Sequence, residues 1–279
     1  MSASHPRLVD ARWVADHLDD PSIRLVDATV HLTFDADGAH TESGRETYRQ
    51  AHLPGAVFAD QLTDLTVHGG EAPFEATSSQ ELARVIGGLG IGDEHTVVAY
   101  DTVNGIWATR LWWQFAFEGH DDVVVLDGGL KAWRDAGLPV ESGDVQHEPA
   151  SFTAERHLER SVGTTDVEAA TRDSGVLLIN ALDRESFASG RIPGSVNVPF
   201  PELVDEQGRL KSLDELRPLF ESVGALDPKV APVTYCGGGI AATAVAFALK
   251  GLGRDDVAVY DGSLNAWTAD PDRPIEKDA

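Results

Sequence analysis

The chain is written twice. In its first half a β-prone run at 23–28 is followed by His52-Leu-Pro-Gly-Ala56, then by a helix signal in which Ser78 stands three residues before Glu81. A buried strand at 96–100, an apolar helix over about 106–117 and a strand at 123–126 come next, closed by Asp127-Gly-Gly-Leu-Lys-Ala-Trp133. The second half gives the same series in the same order. It runs through 176–181, Arg191-Ile-Pro-Gly-Ser195, Ser212 with Glu215, 233–235, an apolar helix, 257–260 and Asp261-Gly-Ser-Leu-Asn-Ala-Trp267. Ser-x-x-Glu ahead of an apolar run marks a capped helix N-terminus. Strands alternating with helices at this spacing predict parallel α/β layers in each half. The expected fold class is α/β, a tandem pair of domains, each a mainly parallel sheet flanked by helices. The polar stretch between the repeats sets a first domain over 1–143, a linker over 144–160 and a second domain over 161–279. Each piece is close to an ordinary domain in size.

The two copies differ at one place that matters chemically. After the strand tyrosine the second copy reads Cys236-Gly-Gly-Gly-Ile-Ala241 and enters a helix with no polar stripe; Cys236 is the one cysteine of the chain. Glycines let successive backbone N–H groups turn inward at a helix N-terminus, where they and the helix dipole form an anion-binding nest. A cysteine at the floor of such a nest is placed to act as a nucleophile, since the thiolate is the reactive form. The competing reading is a buried structural cysteine beside a glycine turn. The first copy has Asp101 at the matching position, with Thr102-Val-Asn-Gly105 as a loop expected to be longer and less glycine-rich. Asp101 is read as structural. Open α/β sheets carry their sites beyond the carboxyl ends of the strands, where Cys236 falls. The duplication therefore favours the catalytic reading of Cys236.

Composition excludes several classes. A net charge of −24 argues against nucleic acid as a partner, because phosphate backbones need Lys and Arg. That acidity fits either a salty interior or drift in composition, and it obliges any anion site to make its own positive potential. One cysteine permits neither an intrachain disulfide nor a cysteine-rich zinc site, and the histidines lack a metal-binding spacing. No metal and no cofactor is expected. With no secretory signal and no apolar stretch of spanning length, the reading is a cytoplasmic protein without a membrane partner. Gly87-Gly-Leu-Gly-Ile-Gly92 follows a helix and precedes a strand, the reverse of a dinucleotide loop, and is read as a glycine-capped helix end. The aromatics Trp107, Trp112, Trp113, Phe115 and Phe117 fall on one helix and are assigned to the core or a domain interface.

Val26-Asp-Ala28, His52-Leu-Pro-Gly-Ala56, Asp127-Gly-Gly129, Ile192-Pro-Gly-Ser-Val-Asn-Val-Pro-Phe200, Tyr235-Cys236 and Tyr260-Asp-Gly-Ser263 together resemble the two-domain rhodanese-type sulfurtransferases, along nearly the whole chain. The resemblance implies tandem rhodanese-like domains, the first catalytically inactive. It also implies that Cys236 takes a sulfane sulfur from 3-mercaptopyruvate or thiosulfate as a persulfide and passes it to cyanide, a thiol or a protein acceptor. Gly237, Gly238, Gly239, Ile240 and Ala241 then supply backbone donors to the terminal sulfur. Thiosulfate-specific members carry Arg and Lys after the cysteine, where this chain has Gly237 and Gly238. Mercaptopyruvate-type members show Cys-Gly-Ser/Thr-Gly-Val-Thr, whose frame is kept here without the hydroxyls. Two substrate arginines of the family fall on Leu182 and Ser186, so Arg184 and Arg191 become the candidates for donor recognition. Asp60 and His68 are candidates to face the cleft, His68 being read more readily as a solvated loop histidine. A phosphatase or arsenate-reductase loop needs a closing arginine where this chain has Ala242. The alternative from another class is a catalytically silent rhodanese-fold module that binds a protein partner.

Overall fold

Each half of the chain builds its own five-stranded parallel sheet. The computed structural model describes residues 7–35, 38–70 and 72–278. The first half contains β1 (Arg7–Val9), α1 (Ala11–Asp16), β2 (Ile23–Asp27), β3 (Val30–Asp35), β4 (Gly38–Ser43), α2 (Arg45–Gln50), β5 (Val57–Phe58), α3 (Ser79–Gly88), β6 (Thr96–Tyr100), α4 (Ile106–Phe117), β7 (Val123–Leu126) and α5 (Gly129–Asp135). The second contains β8 (Ser161–Val162), α6 (Thr164–Ala170), β9 (Val176–Asn180), α7 (Arg184–Ser189), β10 (Val196–Asn197), α8 (Leu213–Ser222), β11 (Ala231–Tyr235), α9 (Ala241–Gly251), β12 (Ala258–Tyr260) and α10 (Ser263–Thr268). The strand orders are β1-β7-β6-β2-β5 and β8-β12-β11-β9-β10, the same path traced twice. The antiparallel hairpin β3–β4 belongs to the first half alone and was not foreseen from the pattern. Among the described residues no helix is long and apolar enough to cross a membrane.

Local chemistry accounts for the helix starts. The Ser78 hydroxyl accepts the Glu81 N–H at 3.2 Å, and Ser212 with Glu215 closes a full capping box, each satisfying N–H groups that a helix leaves bare. α3 ends at its glycines, with Gly90 at φ 77°, as expected for a glycine-capped terminus.

α4 is buried from Trp107 to Phe117 and α9 from Ala242 to Leu249. A helix that is apolar on every side needs cover on every side. Each one lies on its own sheet, and the two pack against each other, with Trp112 edge-on to Phe247 at 5.0 Å between ring centres. The domain interface is thus continuous with both cores. The stretch 144–157 has no helix or strand but is tied to the first domain: Ala150 N–H donates to the Gly87 carbonyl, Glu155 N–H to Glu118 and His157 N–H to Phe117.

One buried carboxyl separates the halves energetically. Asp27, at the end of β2, is fully buried; Oδ1 accepts the Thr29 N–H at 2.9 Å, while Oδ2 has no partner within hydrogen-bond distance among the described residues. Asn180 holds the same place at the end of β9, its Oδ1 accepting the Leu182 N–H at 2.8 Å. Burial raises the Asp27 pKa from 3.8 to about 6, against the pull of the Thr29 hydrogen bonds. Because the folded pKa lies above the unfolded one, the folded state holds this proton longer. The group's contribution is full below pH ~4 and is lost as pH rises through about 6, a change of roughly 3 kcal/mol. Asp27→Asn, which installs the residue found in the other half, should therefore raise stability at pH 7.5 by up to that amount and hardly at all at pH 4. Urea unfolding of both proteins at the two pH values measures the difference. An equal effect at both would refute the titration account.

Candidate active site

Cys236 follows β11 directly and is 3% exposed. Its loop is held from outside by its carbonyl groups. The Cys236 carbonyl accepts the Leu264 N–H at 3.0 Å and the Gly237 carbonyl accepts the Asn265 N–H at 2.9 Å, both from the start of α10. Arg110 Nη1 donates to the Gly239 carbonyl at 3.2 Å. In a trans peptide the C=O and the following N–H point in opposite directions. Those three bonds accordingly turn the N–H groups of Gly237, Gly238 and Ile240 away from α10 and Arg110. Among the described residues, no protein group accepts from the N–H groups of Gly237 to Ala242. α9 opens at Ile240 without a side-chain cap, so its positive end adds to the same field. The Cys236 N–H itself donates to Ser263 Oγ at 3.0 Å, and that hydroxyl donates to the Tyr260 carbonyl.

The first domain has a loop at the same place around a different side chain. The Leu130 N–H donates to the Asp101 carbonyl at 3.1 Å, as Leu264 does to Cys236, so Asp101 stands in the place of the cysteine. Its carboxylate folds back into its own loop. Oδ1 accepts from the N–H groups of Val103 (2.7 Å) and Gly105 (2.9 Å), and Oδ2 from those of Trp107 (2.8 Å) and Ala108 (2.9 Å). Burial pushes the Asp101 pKa up while these four donors pull it down. The two loops are equal in length, five residues separating strand from helix in each, which corrects the expectation of a longer first loop. Asn104 (φ 56°) and Gly105 (φ 82°) make the left-handed turn there, so a single glycine suffices.

Each domain reaches across to the other's loop. Asp261 Oδ2 accepts the Ala76 N–H at 2.8 Å, and reciprocally Asp127 Oδ1 accepts the Leu210 N–H at 3.0 Å. Over the cysteine loop lies Phe74, itself at φ 68°, with its carbonyl accepting from Arg110 Nη2 at 2.6 Å and its ring edge-on to Trp107. A groove of about 370 Å3 is lined by Leu62, Thr66, His68 and Phe74 from the first domain. A wider one of about 810 Å3 is lined by Asp183, Ser186, Gly190, Leu264 and Lys277 from the second.

The other expected residues are engaged elsewhere. Arg184 is exposed and forms a two-pronged ion pair with Glu202 at 2.6 and 2.8 Å. Arg191 lies over the Phe187 ring and pairs with Glu276 (3.2 Å) and Asp278 (2.8 Å), tying down the C-terminal segment. Neither makes a hydrogen bond or ion pair with the cysteine loop. Asp60 is buried, with Oδ1 accepting the N–H groups of Leu62 and Thr63 and Oδ2 the Ser43 hydroxyl, which closes a turn. His68 lines the smaller groove, its Nε2 2.9 Å from the Thr63 carbonyl oxygen. Arg110 and Phe74 were missed by the sequence reading. The signal for Arg110 was a lone cation in an otherwise apolar, aromatic-rich helix; Phe74 gave none.

Residues 10–136 and 164–270 each match the rhodanese-like domain model. The chain is 33% identical over 279 residues to the 3-mercaptopyruvate sulfurtransferase of Escherichia coli (strain K12), covering 96% of this chain and 97% of that one. It is 34% identical to the human 3-mercaptopyruvate sulfurtransferase (93% and 91% covered) and 34% identical to the thiosulfate sulfurtransferase of Rattus norvegicus (93% and 91%). Among solved structures, SseA from Escherichia coli superimposes with a TM-score of 0.84 at 32% identity, over 92% of this chain and 98% of that one. The anaerobic ergothioneine biosynthesis enzyme from Chlorobium limicola shares the fold at 23% identity, with a TM-score of 0.85 over 98% of this chain and 70% of that one.

Two glycines of the loop separate backbone need from mere smallness. Gly239 has φ 80°, and a Cβ there would overlap the Asp261 carbonyl oxygen; Gly237 has ordinary φ and no heavy atom within 4 Å of an added Cβ. Gly239→Ala should cost at least about 2 kcal/mol, from left-handed strain and the clash. Gly237→Ala should be neutral or stabilising by up to ~1 kcal/mol. Urea midpoints of the two variants give the comparison, and similar midpoints would contradict the loop geometry.

Proposed function

The chain belongs to the rhodanese-like family, and from that premise we propose a sulfurtransferase that carries sulfur as a persulfide on Cys236. The donors are those named in its relatives, 3-mercaptopyruvate or thiosulfate. The Cys236 thiolate attacks the donor's transferable sulfur, forming a new S–S bond. The old bond breaks with its electron pair on the leaving group, sulfite from thiosulfate or the enolate of pyruvate from mercaptopyruvate, which then takes a proton. Cyanide or a thiol next attacks the terminal sulfur, leaves as thiocyanate or a persulfide, and returns the thiolate. Splitting the transfer through a covalent intermediate replaces one hard step with two easier ones. No external oxidant is consumed. With no second cysteine to resolve it, the persulfide waits for an outside acceptor.

The observation that carries this reading is the contrast between the loops. In the first domain four N–H groups close on the Asp101 carboxylate, while three of the four matching groups of the cysteine loop, those of Gly238, Ile240 and Ala242, are left to a charge that arrives with the substrate; the fourth, of Thr243, donates to the Ile240 carbonyl at 3.0 Å. Gly237 to Ala241 are the residues whose N–H groups hold the terminal sulfur, an arrangement that acts before the charge forms and needs no reorganisation. Asp101 makes the first domain catalytically inactive. Its place is a carboxylate where the chemistry needs a thiol. Gly237 and Gly238 bring no cation, which supports mercaptopyruvate, with its single carboxylate, over the thiosulfate dianion. Recognition of that carboxylate by Arg184 or Arg191 requires release of Glu202, or of Glu276 and Asp278. A lone thiol that must stay reduced fits the cytoplasm.

Intact mass before and after exposure to each donor, then to cyanide, tests the proposal. One sulfur should be gained on the peptide holding Cys236 and lost again with cyanide, and Cys236→Ser should abolish both while leaving the unfolding curve in place. A Cys236→Ser protein with full transfer activity would sink the mechanism. No gain with either donor would instead leave a partner-binding module. Donor choice has its own test at Gly237, which faces open space. Gly237→Lys should raise the thiosulfate-to-mercaptopyruvate ratio of kcat/KM about tenfold, and an unchanged ratio would show that loop charge does not set preference.

A further inference from the structure

We infer that Arg110, carried by the first domain, is a positioning residue for the second domain's cysteine loop, fixing the Gly239–Ile240 peptide so that the Ile240 N–H stays turned toward the sulfur. The inference rests on the sulfurtransferase reading. Its geometric basis is a three-way clamp: Nη1 donates to the Gly239 carbonyl at 3.2 Å and to Asp261 Oδ1 at 2.6 Å, and Nη2 donates to the Phe74 carbonyl at 2.6 Å. The guanidinium lies over the Trp113 ring at 4.5 Å and is 1% exposed. A buried guanidinium is held only where its donors are answered, and here the answering groups belong to both domains.

The duplication supplies the control. Position by position along the two helices, Arg110 of α4 matches Val245 of α9, so the second domain's helix has no cation at the place from which Arg110 reaches the cysteine loop. In the first domain the matching N–H, that of Gly105, is oriented by accepting oxygen from within, the Asp101 carboxylate at 2.9 Å. The cysteine loop has no such internal anchor before sulfur is bound. A tether on the carbonyl side of the same peptide does that work from outside. Asp261 stands against the Arg110 charge at 2.6 Å, so the pair presents little net field to the sulfur. Arg110 therefore acts by orientation rather than as a counter-ion for substrate.

Arg110→Lys separates these roles in the full-length protein. An ammonium can keep the charge pair with Asp261 but lacks the planar fork that reaches the Gly239 and Phe74 carbonyls together. The expected result is a single-turnover rate constant for sulfur loading of Cys236 about tenfold lower, with a matching fall in kcat and a donor KM within about twofold of the parent. The rate constant is read only from molecules that load, so partial unfolding of the variant does not mimic the effect. Parental loading and kcat in Arg110→Lys would overturn the inference while leaving the sulfurtransferase reading intact. A parent that takes no sulfur from either donor would remove both.

Discussion

Two helices without a polar face decide the architecture. α4 and α9 cannot present any side to water, so each is sandwiched between its own sheet and the other helix. Once they are stacked, both helix N-termini and both strand ends are brought to the domain boundary, and the loops between strand and helix have nowhere else to lie. The proposed chemistry belongs to those loops. The placement of Cys236 at the domain boundary is thus a by-product of apolar burial some distance away, and the core and the candidate site are parts of one packing problem.

Within the loop the governing constraint is the opposed direction of C=O and N–H in a peptide. Tying the carbonyls of Cys236, Gly237 and Gly239 to α10 and Arg110 determines where the N–H groups look. The device is indirect: no side chain needs to enter the cradle for it to be oriented. That explains why glycine is tolerated at three successive positions without loss of order. Asp261 and Asp127 extend the logic across the interface, each accepting a backbone N–H from the other domain.

Much of this was legible in the sequence because repetition amplifies weak signals. One Asp-Gly motif means little; two, each followed by Leu and Trp at the same spacing, mark paired elements. Capping serines fixed two helix starts because the Ser-x-x-Glu chemistry is local. What stayed hidden was chiefly what depends on contacts between residues distant in the chain. Arg110 looked like an intruder in a buried helix, and its three acceptors lie at positions 74, 239 and 261. Arg184 and Arg191 stood out as nearby cations, yet sequence does not say that Glu202, Glu276 and Asp278 fold back on them. The hairpin β3–β4 escaped notice since it has no echo in the second half. The equal length of the two loops was obscured because one turns at Gly239 within a run of three glycines and the other at Asn104 and Gly105.

The carboxylate of Asp101 carries a consequence for what the first domain can meet in solution. It is a ligand covalently attached to the loop it occupies, so its effective concentration there exceeds that of any free anion. Small solutes compete for that nest on hopeless terms. The first nest is thus filled by its own chain, and an anion arriving from solution finds four of its donors already taken.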